Sequence, residues 1–148
     1  MLRRAASAKM LSKIFLLLSI SSAVEFNSLA ALLLWLTALL GESLAYSQLE
    51  DFKSRAGNKG KVCRIGLWRY SRHPNYFFEW LIWVAYFVFA LASPFGCVSI
   101  ISPLLMLYFL FKITGIPATE EQSLRSKGAA YREYQRTTSA FVPWFPSR

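Results

Sequence analysis

The chain has 148 residues, enough for one domain, and is 55% hydrophobic and 16% aromatic, above the usual proportions of water-soluble domains. Its formal net charge is +9, but Lys and Arg stand outside the apolar stretches. That distribution is how membrane proteins flank their spans on the cytoplasmic side, and it argues against a nucleic-acid partner. One histidine and two cysteines, with no CxxC pair, argue against a zinc site.

The apolar residues gather in three blocks, 14–40, 77–91 and 98–113, where a soluble core would show amphipathic stripes. Before the first block come Arg3, Arg4, Lys9 and Lys13, then IFLLLSI and Ser21-Ser22-Ala23. This reads either as a signal peptide or as an uncleaved membrane helix. The helix is the better reading, because more apolar sequence follows at once. Glu25 and Asn27 interrupt the block, and neither half reaches the ~20 residues of a span. Residues 1–25 are therefore set apart as a basic and apolar segment, a partial helix or signal-like start. Residues 26–146 are the main membrane domain. Its first helix is expected from about Phe26 to Phe52, with Glu42, Ser43 and Gln48 turned toward other helices.

Residues 53–73, KSRAGNKGKVCRIGLWRYSRH, hold seven Lys or Arg and no acid. Three glycines make a regular helix there unfavourable. Pro74 suits the first turn of a new helix, expected over Asn75–Leu91. Ser93-Pro94-Phe95-Gly96 marks a turn, and the chain returns through Val98–Ile113. This hairpin brings both of its ends to one side, which the basic residues make cytoplasmic. Cys63 and Cys97 then lie on opposite faces. Gly115 and Pro117 break the third helix. Thr119, followed by Glu121 and Gln122, is expected to cap an amphipathic helix over Glu120–Gln135. The tail FVPWFP suits an interfacial anchor. The fold class is all-α integral membrane: a helical bundle with a C-terminal transmembrane hairpin and a cytoplasmic amphipathic helix.

The chemistry-bearing residues are Arg69, Arg72, His73, Asn75, Tyr76 and Glu79. Asn75 and Glu79, four apart, share a helix face. Arginines before a helix N-terminus favour a phosphorylated ligand, although arginines at a membrane boundary more often meet lipid headgroups. A carboxylate within a span, as at Glu79, costs ~2.5 kcal/mol or more and implies a partner. A second polar cluster comprises Glu120, Glu121, Arg125, Lys127, Tyr131, Tyr134, Gln135 and Arg136, and Glu121 and Arg125 are spaced to pair.

GLWRYSRHPNYFFEW and GIPATEEQSLRSKGAAYREYQRTTSAFVPWFP, separated by the hairpin, resemble the steroid 5-alpha-reductase C-terminal-like family, and within it the bacterial DUF1295 branch. The resemblance runs from about Leu40 to Pro146. It implies a multi-helix membrane fold holding NADPH, with Asn75 and Glu79 at the cofactor-contacting positions of the N-Y-x-x-E pattern. It also implies a copy shortened at its N-terminus, in the bacterial inner membrane. On this reading the chain is a reductase of a lipid or steroid-like C=C bond. Arg69, Arg72 and His73 would hold phosphates, Asn75 and Glu79 the nicotinamide or ribose end, and Tyr76 would give the proton. Glu121, Tyr131 and Tyr134 would line the closing side. Isoprenylcysteine carboxyl methyltransferases share the R-H-P-x-Y and E-E-x-x-L patterns, so S-adenosylmethionine is the alternative cofactor, bound by His73 and Glu120 or Glu121. A third reading is a non-catalytic remnant. The expected partners are membrane lipid, a lipophilic substrate, and further helices or a second copy of the chain.

Overall fold

In the computed structural model, the backbone of residues 2–113 and 115–147 is described, with side chains for residues 25, 27–113 and 115–147. Five α-helices carry the fold: α1 (Leu2–Ser54), α2 (Pro74–Ala90), α3 (Ile101–Tyr108), α4 (Ile116–Lys127) and α5 (Ala129–Thr137). No strand occurs among the described residues; a single isolated bridge joins Ser71 to Ser139.

α1 runs unbroken past Glu25 and Asn27, where the sequence suggested an interruption. One carboxylate and one amide do not stop a helix that contains no proline and only one glycine, Gly41. Apart from Glu25, the signal-like reading of residues 1–25 concerns side chains outside the described residues. Within α1 the hydroxyls of Thr37 and Ser43 donate to the carbonyls of Leu33 and Leu39, each at 2.8 Å, so neither is left unpaired in an apolar helix. Beyond its end, the Asn58 side-chain amide donates to the Phe52 carbonyl at 2.9 Å, which satisfies one of the orphan acceptors every helix end leaves.

α1 and α2 pack antiparallel along a line of small residues. Ala31 and Ala85 line one apolar cavity between the two helices, Gly41 meets the Phe78 ring, and the Ala45 carbonyl accepts the Trp68 indole N–H at 2.9 Å. Ala31, Ala38, Ala45 and Ala85 are all buried. The seven-residue spacing of the three α1 alanines keeps one narrow stripe against α2, where small side chains let two backbones approach. The leucines on the rest of α1, among them Leu29, Leu33, Leu36 and Leu40, are exposed. Asn27–Ser54 and Gly96–Lys127 are both long and apolar enough to cross a membrane, and little of either apolar stretch is covered by the rest of the protein.

After α2 the return path has three parts: a 3-10 turn (Gly96–Ile100), α3, and a π-helical segment (Phe109–Ile113). The expected single arm is thus a helical path of changing pitch. The Trp80 indole donates to the Pro103 carbonyl at 3.1 Å and ties this path to α2. The expected amphipathic helix is two helices. α4 begins at Ile116, with Pro117 in its first turn, and ends at Gly128, whose φ of 52° α5 then follows. Thr119 is not a cap. It sits inside α4 and donates back to the Gly115 carbonyl at 2.9 Å.

The core lies where the tail returns. Phe141 is buried with Leu110 and Ile116, its ring 5.6 Å from Phe77, 5.9 Å from Trp80 and 5.2 Å from Phe111. Only this first aromatic of the tail is buried; Trp144 and Phe145 are exposed. Cys63 and Cys97 are free thiols, one before α2 and one after it.

A Cβ at Gly41 would stand 2.4 Å from the Phe78 ring. Gly41→Ala should therefore cost ~1–3 kcal/mol through overpacking, read as a lower thermal midpoint in detergent. Leu40→Ala, on the exposed face of the same turn, should change it by less than ~0.5 kcal/mol.

Candidate functional site

The segment Ser71-Arg72-His73-Pro74-Asn75-Tyr76 lies where connector becomes helix, and every residue in it has a fixed task. Ser71 is fully buried; its hydroxyl donates to the Phe141 carbonyl at 2.8 Å and accepts the His73 N–H at 3.1 Å. Pro74 opens α2, and the His73 carbonyl accepts the first bond of the helix from Phe77 N–H at 3.1 Å. The Tyr134 hydroxyl reaches the carbonyls of Trp68 and Ser71. The tail runs alongside: Arg72 N–H donates to the Ser139 carbonyl at 2.9 Å and Trp144 N–H to the Tyr70 carbonyl at 2.9 Å.

Arg72 is the hub. Its Nε donates to Glu120 Oε1 at 2.6 Å, and its Nη1 donates to the carbonyls of Gln135 and Thr138 at 2.8 and 2.6 Å. The Gln135 side-chain amide donates to the other Glu120 oxygen at 2.8 Å, and His73 Nε2 stands 3.4 Å from Glu120 Oε1. A guanidinium, an amide and an imidazole around one carboxylate is the donor set a partly buried charge requires. The network ties the start of α2 to α4 and α5, and so brings both ends of the α2–α3 excursion together. The Tyr76 hydroxyl lies 3.1 Å from Thr119 Oγ1. Since the Thr119 proton goes to the Gly115 carbonyl, the Tyr76 hydroxyl is the donor of that pair. The Tyr76 ring stacks on His73 with centroids 5.3 Å apart.

These residues enclose a cavity of about 310 Å³. Its walls are Lys53 and Leu49 from the end of α1, Cys63 and Trp68 from the connector, Arg72, His73, Asn75 and Tyr76, one face of α4, and Tyr131 and Tyr134. Among the described residues no acidic side chain lines it. Asn75 Oδ1 is buried without a hydrogen-bond partner among the described residues, while its Nδ2 reaches the Tyr46 hydroxyl at 3.4 Å. Burial pushes the Tyr131 phenol up to about 12, aided by the Glu120 carboxylate. Burial likewise raises Tyr134 and the Cys63 thiol. These three groups stay neutral at physiological pH, so the fixed charges of the wall are cationic.

Of the residues singled out from sequence, Arg72, His73, Asn75, Tyr76, Tyr131 and Tyr134 line this cavity. Arg69, Glu79 and Glu121 do not. Arg69 is exposed and lines a different cavity. Glu79 stands on α2 four residues past Asn75, about 6 Å further along the helix axis, beyond the cavity-lining entry of the helix and toward Glu42 of α1. Glu121 points outward and pairs with Arg125 at 2.6 Å; its neighbour Glu120 is the inward carboxylate. Lys53, Cys63, Gln122, Ser123 and Ser126 also line the cavity and are not among the site residues the sequence singles out. A signal for the α4 members existed: Thr119, Gln122, Ser123, Ser126 and Lys127 recur at the three- and four-residue spacing of one polar helix face.

The Arg72 and Glu120 side chains are 11% and 16% exposed, against 78% and 65% for Arg125 and Glu121. Glu120→Ala should therefore cost about 3 kcal/mol by stranding the guanidinium. Arg125→Ala should cost less than ~1 kcal/mol. Thermal unfolding of the two variants in one detergent checks the contrast.

Comparison with known proteins gives one assignment. No curated protein and no solved structure matches the chain. The family model described as protein of unknown function (DUF1295) matches residues 10–138, a stretch that includes the Arg72 network and every residue of the cavity wall. The chain belongs to the DUF1295 family.

Proposed function

We propose that the chain is an integral membrane protein and an NADPH-dependent reductase of a lipid or steroid-like C=C bond, with the connector 53–73 and the tail on the cytoplasmic side of a bacterial inner membrane. The leucine-covered outer face of α1 and the exposed apolar residues of α3 suit lipid and would be costly in water. The observation that carries the cofactor reading is the cavity wall: Lys53, Arg72 and Lys127 line it and, among the described residues, no carboxylate does.

Arg72 is already neutralised by Glu120, and Lys53 pairs with Glu50 at 3.2 Å. Lys127 has no ion-pair partner among the described residues; its Nζ stands 5.8 Å from the Tyr131 ring centre. Such a wall attracts a polyanion such as a phosphorylated dinucleotide. The unpartnered Asn75 Oδ1 asks for an N–H donor, which a nicotinamide carboxamide offers. NADPH, when bound, supplies the hydride for a conjugated double bond. Lys127 would hold a phosphate, Asn75 would orient the carboxamide, and Tyr76 would give the proton that completes the reduction. In its resting arrangement the Tyr76 proton is directed at Thr119, so substrate would have to draw it away.

One observation favours the methyltransferase alternative. A volume of about 310 Å³ is at the small end for ligand sites and closer to a mononucleoside than to a dinucleotide. Against this, S-adenosylmethionine carries a sulfonium cation, which two lysines would repel.

Titrating detergent-purified protein with NADPH and with S-adenosylmethionine separates the two. NADPH should bind, and Lys127→Glu should weaken it at least tenfold, about 1.4 kcal/mol, while Lys127→Arg retains it. Glu79→Gln, off the cavity, should leave affinity within about twofold. Binding of S-adenosylmethionine alone would eliminate the reductase, and binding of neither would leave the non-catalytic reading.

A further inference from the structure

Behind the candidate cofactor cavity lies a second one, also about 310 Å³, lined by Arg64, Arg69, Tyr134, Thr137, Thr138 and Pro146. Tyr134, only 2% exposed, lines both and forms the wall between them. We infer that this second cavity is a phosphate site for the headgroup of an anionic membrane phospholipid, distinct from the cofactor cavity.

Three observations point to an anion. Two guanidinium groups line the cavity, and no carboxylate does among the described residues. Arg69 has no hydrogen-bond or ion-pair partner among the described residues, and Arg64 uses one donor, Nη2, on the Ala130 carbonyl at 3.2 Å. The Arg64 guanidinium lies over the Tyr134 ring, 5.2 Å from its centre, a stacking that fixes its plane and leaves its other N–H groups free for a two-point phosphate contact. The third is Thr138, which lines the cavity; its carbonyl is taken by Arg72, while its hydroxyl makes no hydrogen bond among the described residues and is available to a phosphate oxygen.

The surroundings point to a lipid as the carrier of that phosphate. Pro146 belongs to the tail whose Trp144 and Phe145 are 70% and 78% exposed, and the Phe145 ring rests edge-on against Tyr70, 5.9 Å away. Exposed rings held in place beside an arginine pair form the headgroup-level arrangement of a membrane surface. The acyl chains of a lipid seated by its phosphate would lie along these rings, a contact a free phosphate does not make.

The test uses the whole chain in nanodiscs of phosphatidylglycerol or of phosphatidylcholine, with retained lipid counted by native mass spectrometry. Phosphatidylglycerol should be retained preferentially. Arg69→Gln and Arg64→Gln should each cut retention about tenfold, the loss of one charge-assisted pair. Arg132→Gln removes an exposed charge of α5 that lines neither cavity and should retain lipid as the wild type does. Equal retention of both lipids, or full retention by Arg69→Gln, overturns the site. Displacement of the lipid by millimolar inorganic phosphate makes it a free-anion site and overturns the lipid assignment. NADPH affinity of Arg69→Gln should stay within about twofold; a tenfold fall gives both arginines to the cofactor and overturns the separation.

Discussion

The fold depends on one partly buried ion pair. Arg72 precedes α2, Glu120 belongs to α4, and the same guanidinium takes two carbonyls at the end of α5. Other polar contacts join the same segments, Tyr76 to Thr119 and Tyr134 to the carbonyls of Trp68 and Ser71, but this pair collects α2, α4 and α5 at a single group. Apolar attraction alone does not specify the meeting, since one leucine is as good a neighbour as another. The ion pair also sets the orientation of the site: by holding Glu120 inward it presents Thr119, Gln122, Ser123, Ser126 and Lys127 as a wall. The hydrophobic term adds to this where Phe141 is inserted among Phe77, Trp80 and Phe111, a large buried ring at the one place where the tail crosses the bundle.

The molecule thus has two regimes. Along α1 and α2 contact is close and apolar, with alanines and a glycine on the inside and leucines outside. At the end where Lys53, His73 and Lys127 gather, nearly every buried group is polar and has a named partner. Asn75 Oδ1 is the exception among the described residues, and it faces the question of what supplies its missing bond. Exceptions of this kind in an otherwise satisfied network are where ligands are expected.

Much of this was legible from the residues. The apolar blocks located α1, α2 and the return path, because a helix that is apolar on all sides has few alternatives. Pro74 marked the start of α2, and the SRHPNY segment marked the cavity. What was not legible was orientation. Spacing puts Asn75 and Glu79 on one face, yet only the tertiary packing decides how far along that face the cavity reaches, and it ends before position 79. Two adjacent glutamates are equivalent in a string of letters; Glu120 is partly buried against Arg72 and Glu121 is solvated in a helix that begins at Ile116, four residues earlier than a Thr119 cap would place it. Gly128 was read through as helix, since one glycine costs only ~1 kcal/mol there, but its positive φ divides α4 from α5 and points Tyr131 and Tyr134 inward.

The cavity draws its walls from residue 53 to residue 134, and the tail that braces it reaches Ser147. In the order of synthesis α1 and α2 are complete long before the last wall residue, Tyr134, has been added. Until the final turn of α5 leaves the exit tunnel, Arg72 has no carbonyls to grip. The cavity therefore closes only after the helices that frame it, and a shorter nascent chain carries the entrance residues without their far wall.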